Sequence, residues 1–549
     1  MKRKLYLLHR RLSILIALPL LLWASSGLMH PIMTNIRPAV ATQGYAAVAV
    51  DTSRIHVSLD SALRRRHIDS VTAVRLVHID TNWFYQVRPA GAGGEPVYLS
   101  CTNGNVLPMG DWLYAQWLAR YFLEGAGASK EDRKAAGEMA GKQEAAGAMN
   151  GMARDGAAAE MTGSAMPVTA MTGMPAEKAS MAHDCCGAAT ECVLNPVRGA
   201  KVSNVSLLKG YDNEYKSINR LLPVYRVDFE RKDRIRIYVE TTQDRFSFAM
   251  DKNRAAFDTF FRICHTWGWL DWFGKGRLAV IFCVAGLAFF TSVLGVWLFF
   301  TTRRKTKGIR RAHRVVSIVA VLFTLMWTFS GAYHAFTQLV APPEAVNLPV
   351  HFAVAGMHPE WSRLQAAVGR PMTNIGLARI GGDVYWRVSV VSEKASGRKD
   401  LMKEGKAAMA PVYYIHPGDY TLLAEGEKKY AEALAAKFSG RPIAEAIEVS
   451  PVTAFGDEYN FSDKRLPVWK VSYGGEKKER VYVETCSGEL AAHVDNADYA
   501  EGYSFSVFHK HHFMDWGGKT VRDWSTMFWA FGQIVLVLVG FFFFFRKKV

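Results

Sequence analysis

Four stretches of this 549-residue chain contain no Asp, Glu, Lys or Arg: Leu12–Met29, Leu278–Phe300, Val315–Val340 and Trp524–Phe545. Each is long enough to cross a hydrocarbon layer of ~30 Å as a helix, which takes roughly 17–25 residues. Basic clusters abut them. Lys2, Arg3, Lys4, Arg10 and Arg11 precede the first; Arg303, Arg304, Lys305, Lys307, Arg310, Arg311 and Arg314 fill the gap between the second and third; Arg546, Lys547 and Lys548 follow the fourth. These fifteen cations account for nearly all of the formal net charge of +17. The charge therefore marks membrane orientation rather than a nucleic-acid surface, and no nucleic-acid partner is expected. A chain that is half hydrophobic and 12% aromatic is also not disordered along its length.

The positive-inside rule predicts both termini and the basic loop on the cytoplasmic side of a bacterial inner membrane, with the long loops periplasmic. The predicted layout is 1–30 as cytoplasmic start and first helix, 31–276 as first periplasmic domain, 277–301 as second helix, and 302–314 as basic loop. It continues with 315–340 as third helix, 341–523 as second periplasmic domain and 524–549 as fourth helix and end. Trp267, Trp269, Trp272, Trp516 and Trp524 fall at the predicted outer boundary, as an aromatic belt would. The basic start, apolar run and Ala39-Val40-Ala41 also fit a cleaved signal peptide, but the sequence repeats this segment in mid-chain.

Trp23-Ala24-Ser25-Ser26-Gly27-Leu28-Met29-His30 aligns with Trp327-Thr328-Phe329-Ser330-Gly331-Ala332-Tyr333-His334, and His9 and Ser13 align with His313 and Ser317, all at an offset of 304. Leu222-Pro223-Val224-Tyr225, Tyr238-Val239-Glu240-Thr241, and His265, Asp271, Trp272, Gly274 and Lys275 recur 244 residues later. The sequence thus reads as an α-helical membrane protein: four transmembrane helices in two tandem repeats, each repeat carrying a periplasmic α+β domain. The change of offset places an insertion in the first domain, at about 125–197, rich in Ala, Gly and Met and without helix or strand periodicity.

Within the outer domains, Leu59–Arg66 reads as a helix before strands at Trp83–Arg88 and Val97–Ser100, with a turn at Asn103-Gly104 joining them. In the second domain Arg363–Val368 precedes Val384–Val391 and Val412–Ile415. Later strands are expected at Val224–Phe229, Arg234–Glu240, Val468–Tyr473 and Arg480–Glu484. A helix around Tyr114-Ala115 matches one around Tyr430-Ala431. No Gly-x-Ser-x-Gly, His-Glu-x-x-His, P-loop or dinucleotide fingerprint occurs.

His9 and His30 are 21 residues apart, as are His313 and His334. On a helix that is ~31 Å, with the two side chains within roughly 60° of each other. Histidine in or beside a membrane span is costly and usually functional. Two imidazoles from different helices can hold one haem iron from both sides. His265 and His509 precede the second and fourth helices and can complete or replace ligation at the outer level. Without Cys-x-x-Cys-His, any haem is held non-covalently. His511 and His512 align with Trp267 and Gly268 and are read as a wet polar cluster. Gly27 and Gly331 would admit a flat macrocycle or a neighbouring helix. In the insertion, His183, Cys185, Cys186 and Cys192 with eight Met residues are weak candidates for an extra soft-metal site. Cys283 reads as a buried thiol.

Four spans, His-Arg at the inner start of a helix, Ser-Gly-x-x-His at its outer end, and a helix-plus-strands module in each outer loop together resemble the PepSY-associated transmembrane family. The resemblance covers nearly the whole chain except the insertion. It implies an inner-membrane protein linked to iron acquisition. In the siderophore-reductase branch it implies b-type haem, here two groups, on His9, His30, His265, His313, His334 and His509. The expected function is electron transfer to a ferric siderophore or other iron chelate in the periplasm, with a membrane quinol or a cytoplasmic donor supplying electrons. A siderophore or metal permease is a rival, weakened by the absence of an intramembrane carboxylate. A non-catalytic PepSY binding or regulatory module is another.

Overall fold

The computed structural model describes residues 2–91, 95–125, 199–219, 221–302, 308–341, 349–355, 357–391, 407, 409–456, 458–459 and 465–545. The insertion's His183, cysteines and methionines, and the basic residues at 303–307 and 546–548, lie outside them.

Four helices are long and apolar enough to cross a membrane: α1 (Lys2–Asn35), α5 (Gly276–Thr301), α6 (Ile309–Val340) and α10 (Gly518–Phe545). Each of α1 and α6 packs against both α5 and α10, so α1 and α6 face each other across the diagonal of a four-helix bundle. The His-Arg pairs fix the basic end. Arg314 donates from Nη2 to the carbonyls of Phe299 and Thr302, both at 2.6 Å, and Arg10 donates to that of Phe544 at 3.5 Å. Each guanidinium also lies over a phenyl ring of the same helix end. The last carbonyls of a helix have no partner in their own turn, and in a lipid-facing setting another side chain must supply one.

Between the helices lie four antiparallel sheets. The first contains β1 (Ser70–Ile79), β2 (Asn82–Pro89) and β3 (Val97–Ser100), behind the short helix α2 (Leu59–Arg64). The turn at Asn103-Gly104 does not join β2 to β3. It reverses the chain after β3, where Gly104 donates to Ser100 O, and returns Val106 to pair with Leu99. The helix α3 (Gly110–Glu124) follows, and then the second sheet: β4 (Val202–Leu208), β5 (Val224–Phe229), β6 (Arg236–Glu240) and β7 (Arg245–Met250). After α4 (Lys252–Cys264) come α5 and α6, and the pattern recurs. A two-residue strand β8 (Phe352–Ala353) and α7 (Trp361–Val368) precede β9 (Met372–Ile380), β10 (Asp383–Val390) and β11 (Val412–Ile415). Next are α8 (Gly426–Ser439), β12 (Ala446–Val452), β13 (Val468–Tyr473), β14 (Arg480–Glu484), β15 (Glu489–Val494) and α9 (Asn496–Ser504).

Matched details go beyond element order. Left-handed backbone occurs at Arg234 and Lys478, Asp244 and Gly488, Trp267 and His511, and Gly274 and Gly518, each pair 244 apart. Gly110 and Gly426 start α3 and α8 against the rings of Tyr98 and Tyr414, where an added Cβ would sit 2.7 Å from the ring. Inside α10 the match slips by one, so that Ala530 and Phe544 take the places of Ala285 and Phe299.

The two domains interlock. β8, which follows α6, adds to the edge of β1. The Asn374 side chain on β9 accepts from Leu76 N at 2.9 Å and donates to Leu76 O at 3.1 Å on β1. One apolar core draws Leu59, Tyr85 and Leu99 from the first domain and Leu364, Trp386 and Ile415 from the second. A buried ion cluster ties β7 to β14. Arg245 pairs with Glu484, which also binds Arg465 at 2.8 Å. Burial alone would raise the Glu484 carboxyl, but the two guanidiniums hold it well below the usual range. Because the folded value is depressed, its stabilising contribution is present at neutral pH and is lost as the pH falls through the acid range.

Two corrections concern burial. Cys283 is exposed on the flank of α5 rather than buried, because that face of the helix turns away from the bundle. Trp267 is buried, while Trp269, Trp272, Trp516 and Trp524 are exposed as an interfacial belt requires.

Removing Arg245 takes one of two guanidiniums from Glu484 and strips the buried Glu240 carboxylate, 3.6 Å from Arg245, of its ion pair. Arg245→Met should cost about 3–5 kcal/mol, read as a lowered melting temperature in detergent. At the insertion boundaries, Glu124 Oε1 accepts from Ala200 N at 2.6 Å and Arg120 Nε donates to Ala200 O at 3.2 Å, so the flanking ends already touch. Replacing 125–197 by a linker of about ten residues should leave expression and melting temperature unchanged; loss of either would make the insertion part of the fold.

Candidate functional site

At the domain end of the bundle the structure brings four of the six selected histidines together. The rings of His265 and His509 lie 5.8 Å apart, nearly perpendicular. Each belongs to the turn between an outer domain and a membrane helix, and each is held by the facing diagonal helix. Trp23 Nε1 donates to the His265 carbonyl at 3.0 Å, and Trp327 Nε1 to that of His509 at 3.2 Å. Ser26 Oγ and His265 Nδ1 share a hydrogen bond of 3.0 Å; Ser330 Oγ and His509 Nδ1 share one of 3.1 Å.

These serines offer one consistent tautomer. A hydroxyl has one proton. Leu22 O and Trp23 O lie 2.9 Å from Ser26 Oγ one turn back, and Met326 O lies 2.8 Å from Ser330 Oγ. With the hydroxyl protons on these carbonyls, each serine oxygen accepts from Nδ1–H, an arrangement that leaves Nε2 of both imidazoles with a lone pair. Burial, together with the neighbouring His30 and His334, lowers the His265 pKa to about 4; burial and His265 hold His509 well below its ordinary value. Both rings are neutral at physiological pH, as metal ligation through nitrogen requires.

His30 and His334 flank this pair at one remove. Phe261 lies between His30 and His265, at 5.6 and 4.5 Å between ring centres; Phe505 lies between His334 and His509, at 4.7 and 4.6 Å. His334 Nδ1 bonds Glu501 Oε1 at 2.6 Å. The matched position in the first half is Phe257, so only one of the two flanking histidines has a carboxylate partner. Phe505–His509 forms a π-helical turn where the first half continues as α-helix to Cys264. Such one-residue expansions re-aim side chains and occur often at functional sites.

At the basic end, His9 on α1 and His313 on α6 face inward across the diagonal. The Nδ1 atoms of both are buried and have no hydrogen-bond partner among the described residues. Gly295 on α5 lies against His9, where a Cβ would meet Cε1 at 3.1 Å. His313 meets the edge of Phe543 at 5.8 Å. The structure thus separates the six histidines into a basic-end pair and a domain-end group of four. Among the described residues no group of three or more His, Cys, Asp or Glu is placed to hold a bare metal ion.

His511 is not part of a wet cluster. It is 0% exposed, stacked on Trp327 at 5.3 Å and 3° just as Trp267 stacks on Trp23 at 5.1 Å and 5°. The left-handed backbone at this position turns the side chain inward. His512 does bind Asp515, at 2.9 Å near the surface. Sequence reasoning gave no role to Ser26, Ser330, Phe261, Phe505 or Glu501. The recurrence of Phe-x-x-x-His before both His265 and His509, four residues being one helical turn, was the available signal for the phenyl rings.

No curated protein matches the chain. A family model, the PepSY-associated TM region, matches residues 197–425, from the start of the second sheet through α5 and α6 to the turn before α8. With four apolar helices and β-sheet domains between them, the chain reads as a multi-pass membrane protein, and this match supports membership of the PepSY-associated transmembrane family.

Proposed function

We propose that this protein carries electrons across the bacterial inner membrane on two non-covalent haem b groups and reduces a ferric chelate, such as a siderophore complex, on the domain side. The observation that carries the reading is the pair His265 and His509: buried, neighbouring, and each hydrogen-bonded at Nδ1 to a serine of a long helix. Their ring centres are 5.8 Å apart. Two metal–nitrogen bonds of ~2.0–2.1 Å plus ~1.1 Å from each nitrogen to its ring centre come to about 6.4 Å, so a parting of the rings by about half an ångström would admit an iron between them. His9 and His313, with orphaned nitrogens beside a glycine, are the basic-end pair. Haem held by these histidines would supply a one-electron redox couple.

The remaining residues do recognisable work. Ser26 and Ser330 orient the domain-end imidazoles and keep their protons on Nδ1. Trp23 and Trp327 lock the backbone that bears them. Phe261 and Phe505 screen the pair from water and from His30 and His334. Gly295 lets the His9 ring lie close against α5, and Gly331 lets the His509 ring lie against α6. The recurrent offsets and geometry support a tandem duplication with an approximate two-fold axis between each pair. The basic ends support cytoplasmic termini and periplasmic domains. No nucleotide motif occurs, so electrons enter from a membrane quinol or a separate cytoplasmic donor.

The protein should purify red, with a reducible b-type spectrum and two haems per chain. His265→Ala or His509→Ala should each remove one haem, His9→Ala or His313→Ala the other, while His30→Ala and His334→Ala keep both. Haem per protein checks this for each variant. A colourless, folded protein from haem-replete cells would overturn the redox reading in favour of a PepSY binding module. Loss of haem in His30→Ala but not in His265→Ala would reassign the outer pair.

A further inference from the structure

A cavity of about 400 Å³ opens in the first outer domain, with no histidine in its walls. It lies between the entry to β3, the first turn of α3 and the strands β4 and β5. Its apolar side is made by Met109, Trp112 and Leu207, and its polar side by Glu95, Asp111 and Tyr225. Asp111 is buried, and its Oδ1 accepts from the Tyr98 hydroxyl at 2.8 Å. The hydroxyls of Thr241 and Tyr225 lie close to the same carboxyl. Glu95 is exposed at the rim. Burial, and after it the Glu95 charge, push the Asp111 carboxyl up from its ordinary value. Two carboxyl groups thus face one cavity without a cation between them. Space of this size, a largely apolar wall and a few convergent polar groups that include a perturbed carboxyl are the marks of a small-ligand site.

The second half shows which of these features the fold itself requires. The inner carboxylate is common to both halves. Glu427 stands at the place of Asp111 and accepts from Tyr414 at 2.8 Å and from Thr485. The rest of the wall is not shared. Pro411, Glu425, Lys428 and Trp469 stand at the places of Glu95, Met109, Trp112 and Tyr225. The second half therefore sets a lysine of its own beside two acids, Glu425 and Glu427. The first half has two acids, Asp111 and Glu95, and an aromatic ring where that lysine would be.

We infer that this cavity binds a primary ammonium carried on a short apolar chain, with Asp111 and Glu95 as its counter-charges and Trp112 as its aromatic wall. The two acids call for positive charge, and the indole face attracts the same charge. Met109 and Leu207 match an alkyl stem rather than a hydrated ion. A bare metal ion is poorly served, because among the described residues no group of three or more His, Cys, Asp or Glu is placed to hold one. The cation nearest the rim, Lys209, lies 3.9 Å from Glu95, and both side chains are largely exposed. A pair of that kind contributes little, and an incoming ammonium can displace it. The ammonium can belong to a free amine or to a lysine side chain, since both present the same end to the cavity. None of this depends on haem or on electron transfer.

The test uses the full chain in detergent and isothermal titration with n-pentylammonium chloride, Nα-acetyl-lysine amide and, as the neutral control, 1-pentanol. Wild type should bind an ammonium saturably and 1-pentanol at least tenfold more weakly. Tighter binding of pentylammonium identifies a free amine as the ligand; tighter binding of the lysine derivative identifies a lysine side chain. Glu95→Gln should weaken ammonium binding about tenfold. Trp112→Lys, which installs the second-half residue, and Asp111→Asn should abolish it. Asp111 is buried, so the two variants nearer the surface guard against misfolding, and an unchanged melting temperature in each shows that the fold is kept. No saturable binding in wild type, equal affinity for 1-pentanol, or full binding in Glu95→Gln and Trp112→Lys overturns the site.

Discussion

Two serine hydroxyls on the diagonal helices govern the domain-end site. With their protons given back to their own helices, Ser26 and Ser330 accept from the imidazoles beside them. In that arrangement the proton sits on Nδ1 of His265 and His509, and Nε2 is the nitrogen left free. The serines can play this part only because α1 and α6 are held apart by α5 and α10, with arginine side chains closing the helix ends at the opposite face. The β domains in turn set the height at which the two histidine-bearing turns enter the bundle. In water such bonds would be exchanged freely; in a bundle set in lipid no solvent competes for them.

Much of this was legible in the sequence, and the reasons are physical. Uncharged runs long enough to span, with cations at their ends, leave little choice of architecture, and all four long helices occur where the runs are. The repeated His-Arg and Ser-Gly-x-x-His spacing picked out α1 and α6, the helices that carry Ser26 and Ser330 to His265 and His509. The pairing of the outer histidines was not legible, because it depends on a contact between residues 244 apart that neither periodicity nor offset encodes. The strands β1 and β9 were missed because they are covered on both faces by packed sheet and core, which blurs their alternation. The burial of His511 was missed because a histidine aligned with a tryptophan reads as loss of an anchor. The left-handed backbone at that position instead keeps the ring in the tryptophan's stack.

Sameness and difference sit side by side in the two matched halves. Identical packing demands accompany the likeness: two guanidiniums for two helix ends, two glycines against two tyrosine rings, two serines beside two histidines. Where no such demand acts, the halves differ. Glu501 opposite Phe257, the π turn at Phe505–His509 opposite an α-helical end, and Thr324 and Gln533 opposite Leu20 and Ala288 all fall in the second half.

The strand β8 ties assembly on the two sides of the membrane together. Phe352 and Ala353 complete the sheet that begins at Ser70, yet they follow the third long helix in the chain. The apolar core beneath that sheet likewise draws on Leu364, Trp386 and Ile415. During synthesis the first domain therefore waits, with an open strand edge and a half-filled core, until α5 and α6 have both been threaded and the chain has returned to the same side. Insertion of the helical hairpin is thus a step in folding the first domain. An exposed edge of this kind is the usual starting point for wrong pairings, so the interval between emergence of β1 and arrival of β8 is when the nascent protein has most need of a chaperone.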